Sequence, residues 1–173
     1  VNRLDYIMLI LFLIPIYVAN ATPVVLGGGA PLDFGMKWSD GRRVFGDSKT
    51  IRGFFAGIFG GTLAGLIVAS FYPLVFFDSV KTQIIGALML SLGTMVGDAF
   101  GSFVKRRADV DSGKPFFLDS IMFIVFALAF VYPYANISLY DPFNILFFLS
   151  LTVILHPLTN FIANRAGLKN VPW

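Results

Sequence analysis

The sequence predicts an all-α integral membrane protein of five transmembrane helices, with its N-terminus outside and its C-terminus cytoplasmic. Three observations carry that prediction. Hydrophobic residues make up 57% of the 173 positions and charged residues only 13%, with a mean hydropathy of +0.79; a water-soluble domain needs a far more polar surface. Five apolar runs each approach or exceed the roughly 20 residues that a helix needs to cross a bilayer core. Basic residues also lie unevenly between those runs: eleven of the thirteen fall on one side, leaving Arg3 and Lys81 on the other. Loops rich in Lys and Arg stay cytoplasmic.

The first span, Tyr6–Leu26, has an apolar core too long for a signal-peptide h-region and no basic n-region, so it is expected to be retained. Loop 27–49 opens on Gly27-Gly28-Gly29 and then alternates polar and apolar residues around Lys37–Phe45, a pattern open to a short hairpin or an interfacial helix. The second span, Ile51–Phe71, carries Gly53, Gly57, Gly61 and Gly65 at every fourth position. The third, Thr82–Val104, carries Gly93, Gly97 and Gly101 in the same register. Stripes without side chains let helix backbones approach closely in lipid, so the second and third spans are expected to pack directly on each other. Loop 105–118 is basic. The fourth span, Asp119–Ile137, and the fifth, Phe143–Ile162, complete one polytopic domain over residues 1–173. Pro15, Pro133 and Pro157 are expected to bend spans one, four and five.

The chemistry implied sits at the cytoplasmic ends. Asp98 lies near the end of an apolar run, where a carboxylate costs several kcal/mol by most estimates and usually marks function. On a helix, Asp98, Ser102 and Lys105 share a face, with Arg106 close by. Asp119 opens the next span, and Lys105, Arg106, Arg107 and Lys114 lie between the two acids. Mg²⁺ takes oxygen ligands, typically one or two carboxylates completed by substrate phosphates and water. Asp98 and Asp119 are therefore the candidate metal pair, with a salt bridge inside the third span as the alternative for Asp98. Ser48, Lys49, Thr50 and Arg52, where the second span begins, offer cations and hydroxyls to phosphates, although the same charges would also serve as a topology signal. This segment is not a P-loop, because Asp47 and Ser48 stand where Lys and Ser/Thr are required. His156 reads as packed or hydrogen-bonded. Asn160, Asn164 and Arg165 either rim a cavity or end the last helix. With no cysteine, thiol nucleophiles, disulfides and cysteine metal sites are excluded, and all ten acids are Asp.

Taken together, the segments FGDSKTIRG (45–53), GDAFGSFVKRR (97–107) and GKPFFLD (113–119) resemble the archaeal membrane cytidylyltransferases that make CDP-archaeol, relatives of the CDP-diacylglycerol synthases. The resemblance spans nearly the whole chain. One departure stands out: the broader CDP-diacylglycerol synthase signature has His-Gly-Gly before an Asp-Arg pair. Here residues 115–120 read Pro-Phe-Phe-Leu-Asp-Ser, matching only the aspartate, Asp119. The resemblance implies transfer of CMP from CTP to 2,3-di-O-geranylgeranylglycerol 1-phosphate, with Mg²⁺ as cofactor and pyrophosphate released. Asp98, Asp119, Lys105 and Arg106 would be catalytic, and Lys49, Arg52, Ser48, Thr50, Ser102 and Lys114 would bind substrate. The expected partners are CTP, an isoprenoid glycerol phosphate and the cell membrane, with no nucleic acid. A CTP-dependent polyprenol kinase and a small membrane transporter are the competing classes.

Overall fold

The computed structural model describes residues 3–110, 114 and 116–169, with side chains from residue 6 onward. Asp111 and two positions of the third motif, Gly113 and Pro115, lie outside them. Among the described residues the chain forms five α-helices: α1 (Arg3–Leu26), α2 (Ile51–Phe71), α3 (Val80–Arg107), α4 (Met122–Val131) and α5 (Pro142–Arg165). No strand accompanies them. All five expected spans are present, with two corrections. The fourth is not one helix from Asp119: a 3₁₀ turn at Phe117–Ser120 precedes α4, and another at Tyr132–Tyr134 follows it. Pro133 sits in that second turn, so it ends the span instead of bending it; its ring leaves no N–H for the preceding turn. Lys105, Arg106 and Arg107 are the last turn of α3 and not loop, so the basic side chains project from a rigid helix.

Local sequence explains the ends. Thr50 caps α2 by accepting the Gly53 N–H at 3.1 Å, Ser79 caps α3 through Thr82, and Asp141 caps α5 through Phe143. Leu9, Phe12, Leu13 and Ile16, spaced to fall on one face of α1, are buried, and Phe12 stacks on Phe148 of α5.

The glycine stripes pack closely, but not stripe against stripe. A Cβ built at Gly61 would lie 2.5 Å from Ser91 Oγ of α3 and 2.6 Å from the Pro15 carbonyl of α1, so α2 lies in the groove between those helices. At Gly93 a Cβ would lie 2.6 Å from the Phe126 carbonyl, and at Gly97 2.8 Å from Phe123 Cα; both belong to α4. The expectation that spans two and three pack directly holds. The α3 surface facing α2, however, is Ala87, Ser91 and Met95, while its glycines receive α4. Four-residue spacing reveals a smooth face without saying which neighbour uses it.

Loop 27–49 is a hairpin-like fold tied by bridges between Pro31 and Thr50 and between Lys37 and Arg43. Its centre is Asp33, fully buried. That carboxylate accepts the backbone N–H groups of Gly35, Phe45 and Gly46 and two bonds from Arg43, at 2.6 and 3.2 Å. Burial alone would raise its pKa. The Arg43 and backbone donors outweigh that and hold it well below the usual carboxylate range. The loop is clamped to the end of α3 as well. Arg42 donates to the Arg106 and Arg107 carbonyls and pairs with Asp109 at 3.0 Å; Arg107 pairs with Asp40 at 2.7 Å. Arginine on the exposed carbonyls of a helix C-terminus is favourable in charge and in hydrogen bonding.

Candidate active site

The polar ends of α1, α3 and α5, the Asp119 turn, loop 27–49 and the tail after α5 meet around one cavity of about 290 Å³. Seven of the ten candidate site residues line it: Ser48, Lys49, Asp98, Ser102, Lys105 and Arg106, with Asp119 from the turn before α4. Asp98, Ser102 and Lys105 come from one helical stripe, as their spacing requires.

The charges are cross-paired. Lys49 Nζ lies 2.6 Å from Asp98 Oδ2, joining the loop to α3. Lys105, buried to 7% exposure, lies 2.6 Å from Asp119 Oδ2 and also donates to the Lys114 carbonyl. The in-helix pairing considered for Asp98 is therefore not the one formed. Arg106 differs. Its Nε is buried without a hydrogen-bond partner among the described residues, beside Gly46, where a Cβ would lie 3.7 Å from that atom. A buried guanidinium nitrogen without an acceptor is costly unless a ligand supplies one.

Lys49, Lys105, Arg106 and Lys169 face Asp98 and Asp119 across the cavity, four cations to two anions. Such a surplus suits a polyanion. Among the described residues no group of three Asp, Glu, His or Cys could enclose a metal ion. Two carboxylates with the Ser48 and Ser102 hydroxyls nearby form an incomplete oxygen set. Mg²⁺ is bound through such sets, with substrate phosphates and water supplying the rest.

Three candidates stand elsewhere. Thr50 spends its hydroxyl on the α2 cap, though it borders a side pocket that also touches Lys49 and Asp98. Arg52 is exposed and donates to the Leu26 carbonyl at 2.7 Å. Lys49 precedes the helix start at Ile51, so the i, i+3 spacing does not bring Arg52 to its face. Lys114 meets the cluster through its backbone carbonyl. Sequence reasoning missed Asn20 and Lys169 as lining residues. Asn20 is a polar group in an apolar run and so carried the same signal as Asp98. Lys169 gave none, because it comes back over the cavity only through a left-handed turn at Gly167 (φ 72°). His156 is hydrogen-bonded, as expected, and lines the cavity with Asn160. Burial, and then the neighbouring Lys49, hold the Lys169 pKa below its ordinary value.

An apolar groove of about 480 Å³ lies alongside, lined by Trp38, Phe45, Phe54, Phe100 and Phe103 among others. It shares Leu32, Phe54 and Ala99 with the side pocket that reaches Asp98.

Comparison with known proteins agrees with this architecture. A family model described as CarS-like, CDP-archaeol synthase, matches residues 3–173. The CDP-archaeol synthase of Pyrococcus abyssi is 48% identical over 163 residues, covering 94% of this chain and 95% of the relative. That of Methanocaldococcus jannaschii is 43% identical over 170 residues, covering 94% of each. A solved structure of an intramembrane enzyme for archaeal membrane lipid biosynthesis superposes with a TM-score of 0.73 at 36% identity, over 92% of this chain and 94% of that one. With five helices long and apolar enough to cross a membrane, a family match along nearly its whole length and close relatives aligned over 94% of it, this chain belongs to the CDP-archaeol synthase family.

Proposed function

We propose that the protein transfers CMP from CTP to 2,3-di-O-geranylgeranylglycerol 1-phosphate, releasing pyrophosphate, at a site on the cytoplasmic face of the membrane. The observation that carries this reading is the cation-rich cavity, with its partnerless Arg106 nitrogen, set beside an apolar groove in a chain of this family. A lipid phosphate and a nucleotide triphosphate need both surfaces at once.

A phosphate monoester has a second pKa of about 6 and is largely dianionic near neutrality. One of its oxygens forms the new bond to the α-phosphorus of CTP as the bond from that phosphorus to the bridging oxygen breaks. The electron pair leaves with pyrophosphate, and no proton has to be removed. The protein's task is alignment and neutralisation of crowded negative charge. Arg106 offers its planar donor fork to a phosphate, and Lys49 and Lys169 add charge from the loop and the tail. Lys105, fixed between Asp119 and the Lys114 carbonyl, holds the turn before α4 against α3. Mg²⁺, held by Asp98 and Asp119, would supply further neutralisation of the phosphate oxygens when bound. The isoprenoid chains lie along the Trp38–Phe103 groove, with the phosphate reaching Asp98 and Lys49 through the side pocket.

The test is product analysis with purified protein, CTP and paired lipids. Pyrophosphate and a CDP-lipid are expected from the lipid phosphate, and nothing from the matching alcohol. CDP formed from the alcohol would instead identify a kinase. No turnover with any lipid would return the chain to the transporter class.

A further inference from the structure

Opposite the charged wall the cavity has a neutral one, made by Asn20 of α1 with His156 and Asn160 of α5. Asn20 Nδ2 lies 3.3 Å from His156 Nδ1, and the Asn160 amide nitrogen 3.0 Å from His156 Nε2. Lys169 Nζ donates to Asn160 Oδ1 at 2.9 Å. An amide's oxygen and nitrogen are nearly alike in shape, so its orientation follows from its partners.

Those partners determine the whole chain of bonds. Lys169 has only protons to give, so Asn160 must turn its oxygen to the tail and its N–H groups to the imidazole. His156 Nε2 is then an acceptor. A neutral imidazole carries one proton, which therefore sits on Nδ1 and is donated to Asn20. A ring protonated on both nitrogens would force the Asn160 NH₂ group onto the Lys169 ammonium. Asn20 must then meet Nδ1–H with its oxygen, the reverse of the orientation that sets its Nδ2 against the ring, and in the turned orientation its NH₂ faces away from the imidazole as a donor.

We propose that Asn20 reads the nucleotide's base, donating to N3 of cytosine, in an orientation imposed by Lys169 through Asn160 and His156. The inference rests on the cytidylyltransferase reading of the cavity. The phosphates occupy the cationic wall, leaving the neutral wall to the part of the nucleotide that is uncharged and rich in hydrogen-bonding groups. A fixed donor at this position separates the pyrimidines, because N3 accepts in cytosine and carries a proton in uracil. Where a site is built to hydrogen-bond its substrate, an analogue with the wrong pattern leaves buried groups unpaired and is rejected strongly. Asn20 contacts substrate in this scheme. Asn160, His156 and Lys169 are positioning residues.

The measurement is the ratio of CTP to UTP preference, taken both as kcat/KM with the lipid phosphate and as nucleotide affinity, so that a variant without turnover still gives a result. Each ratio is internal to one protein preparation and is independent of the folded fraction. Asn20→Asp replaces the donor with an acceptor and should lower the ratio on the order of tenfold to hundredfold. Asn160→Asp keeps a carboxylate oxygen for Lys169 but turns the other toward Nε2. That oxygen must be met by a proton, so at a pH that leaves the ring neutral the tautomer reverses, Asn20 turns its NH₂ onto Nδ1, and its oxygen faces the cavity. The ratio should fall again, although residue 160 never touches the base. Ratios within twofold of the parent in both variants overturn the proposal, as does loss of CTP and UTP alike in both. A changed affinity for the lipid phosphate at constant nucleotide ratio also overturns it and gives the wall to the lipid's glycerol. Failure of the parent protein to use CTP at all would instead sink the cytidylyltransferase reading.

Discussion

Asp98 and Asp119 each face a lysine, so changing either one to Asn removes a carboxylate and also releases a cation into the cavity. Metal binding and charge balance would both suffer, and only a metal titration separates them. We expect Asp98→Asn and Asp119→Asn to lower turnover by about two to three orders of magnitude and to raise the Mg²⁺ concentration needed for half-maximal rate. An unshifted Mg²⁺ requirement would leave these residues as ion-pair partners of Lys49 and Lys105 and nothing more. Asp98 was legible in the sequence because an acid inside an apolar run is costly enough to need a reason. Its partner was not. Lys49 is 49 positions away, and only the folding of loop 27–49 brings it to 2.6 Å. Arg52 is the opposite case. Its charge and spacing suggested a phosphate ligand, but the helix begins after Lys49, and Arg52 closes the end of α1 through the Leu26 carbonyl.

Among the elements, the loop that presents Ser48 and Lys49 is held by the Asp33–Arg43 pair, whose meaning the sequence did not disclose; Asp33 was one aspartate among ten. Asp33→Asn removes one partner of a buried pair and is expected to cost about 3 kcal/mol of stability, measured as a lower unfolding temperature in detergent. The pH dependence has a definite sign. The Asp33 carboxyl is held below its unfolded value, so its contribution is complete above an unfolded pKa of about 3.9 and is lost as the pH falls through the lower folded value. The parent should therefore keep this component at pH 5 and lose it only in stronger acid, a loss absent from the Asn variant; equal acid sensitivity in the two would contradict it. The helices were legible from hydropathy and length, the α4 boundaries were not, and the glycine stripes showed close packing without the identity of the neighbour. Gly93→Leu places a side chain against the Phe126 backbone and should destabilise by about 1–3 kcal/mol, whereas the exposed Leu88→Ile, on the same helix, should be nearly silent in the same melt. Equal melting temperatures for the Gly93 variant and the parent would separate α3 from α4.

For the molecule as a whole, the orientation proposed from eleven basic residues against two places loop 27–49 in the cytoplasm and residues 72–79 outside. In a protein freed of other cysteines by nature, Ser39→Cys should react with a membrane-impermeant thiol reagent only from the cytoplasmic side and Asp78→Cys only from outside; both positions are exposed. Asp78 is preferable to Ser79, whose hydroxyl α3 needs as its cap. Labelling of both from one face would refute the topology. The turn at Gly167, which returns Lys169 to a cavity that Asn20 also lines, has a consequence for biosynthesis. The pocket borrows from α1 and from the segment that follows α5. A nascent chain halted between the end of α5 and residue 169 has all five helices and both carboxylates, yet one wall of its pocket is unfinished. Closure of the pocket thus reports that α5 has been threaded, and a half-inserted chain carries an incomplete cavity.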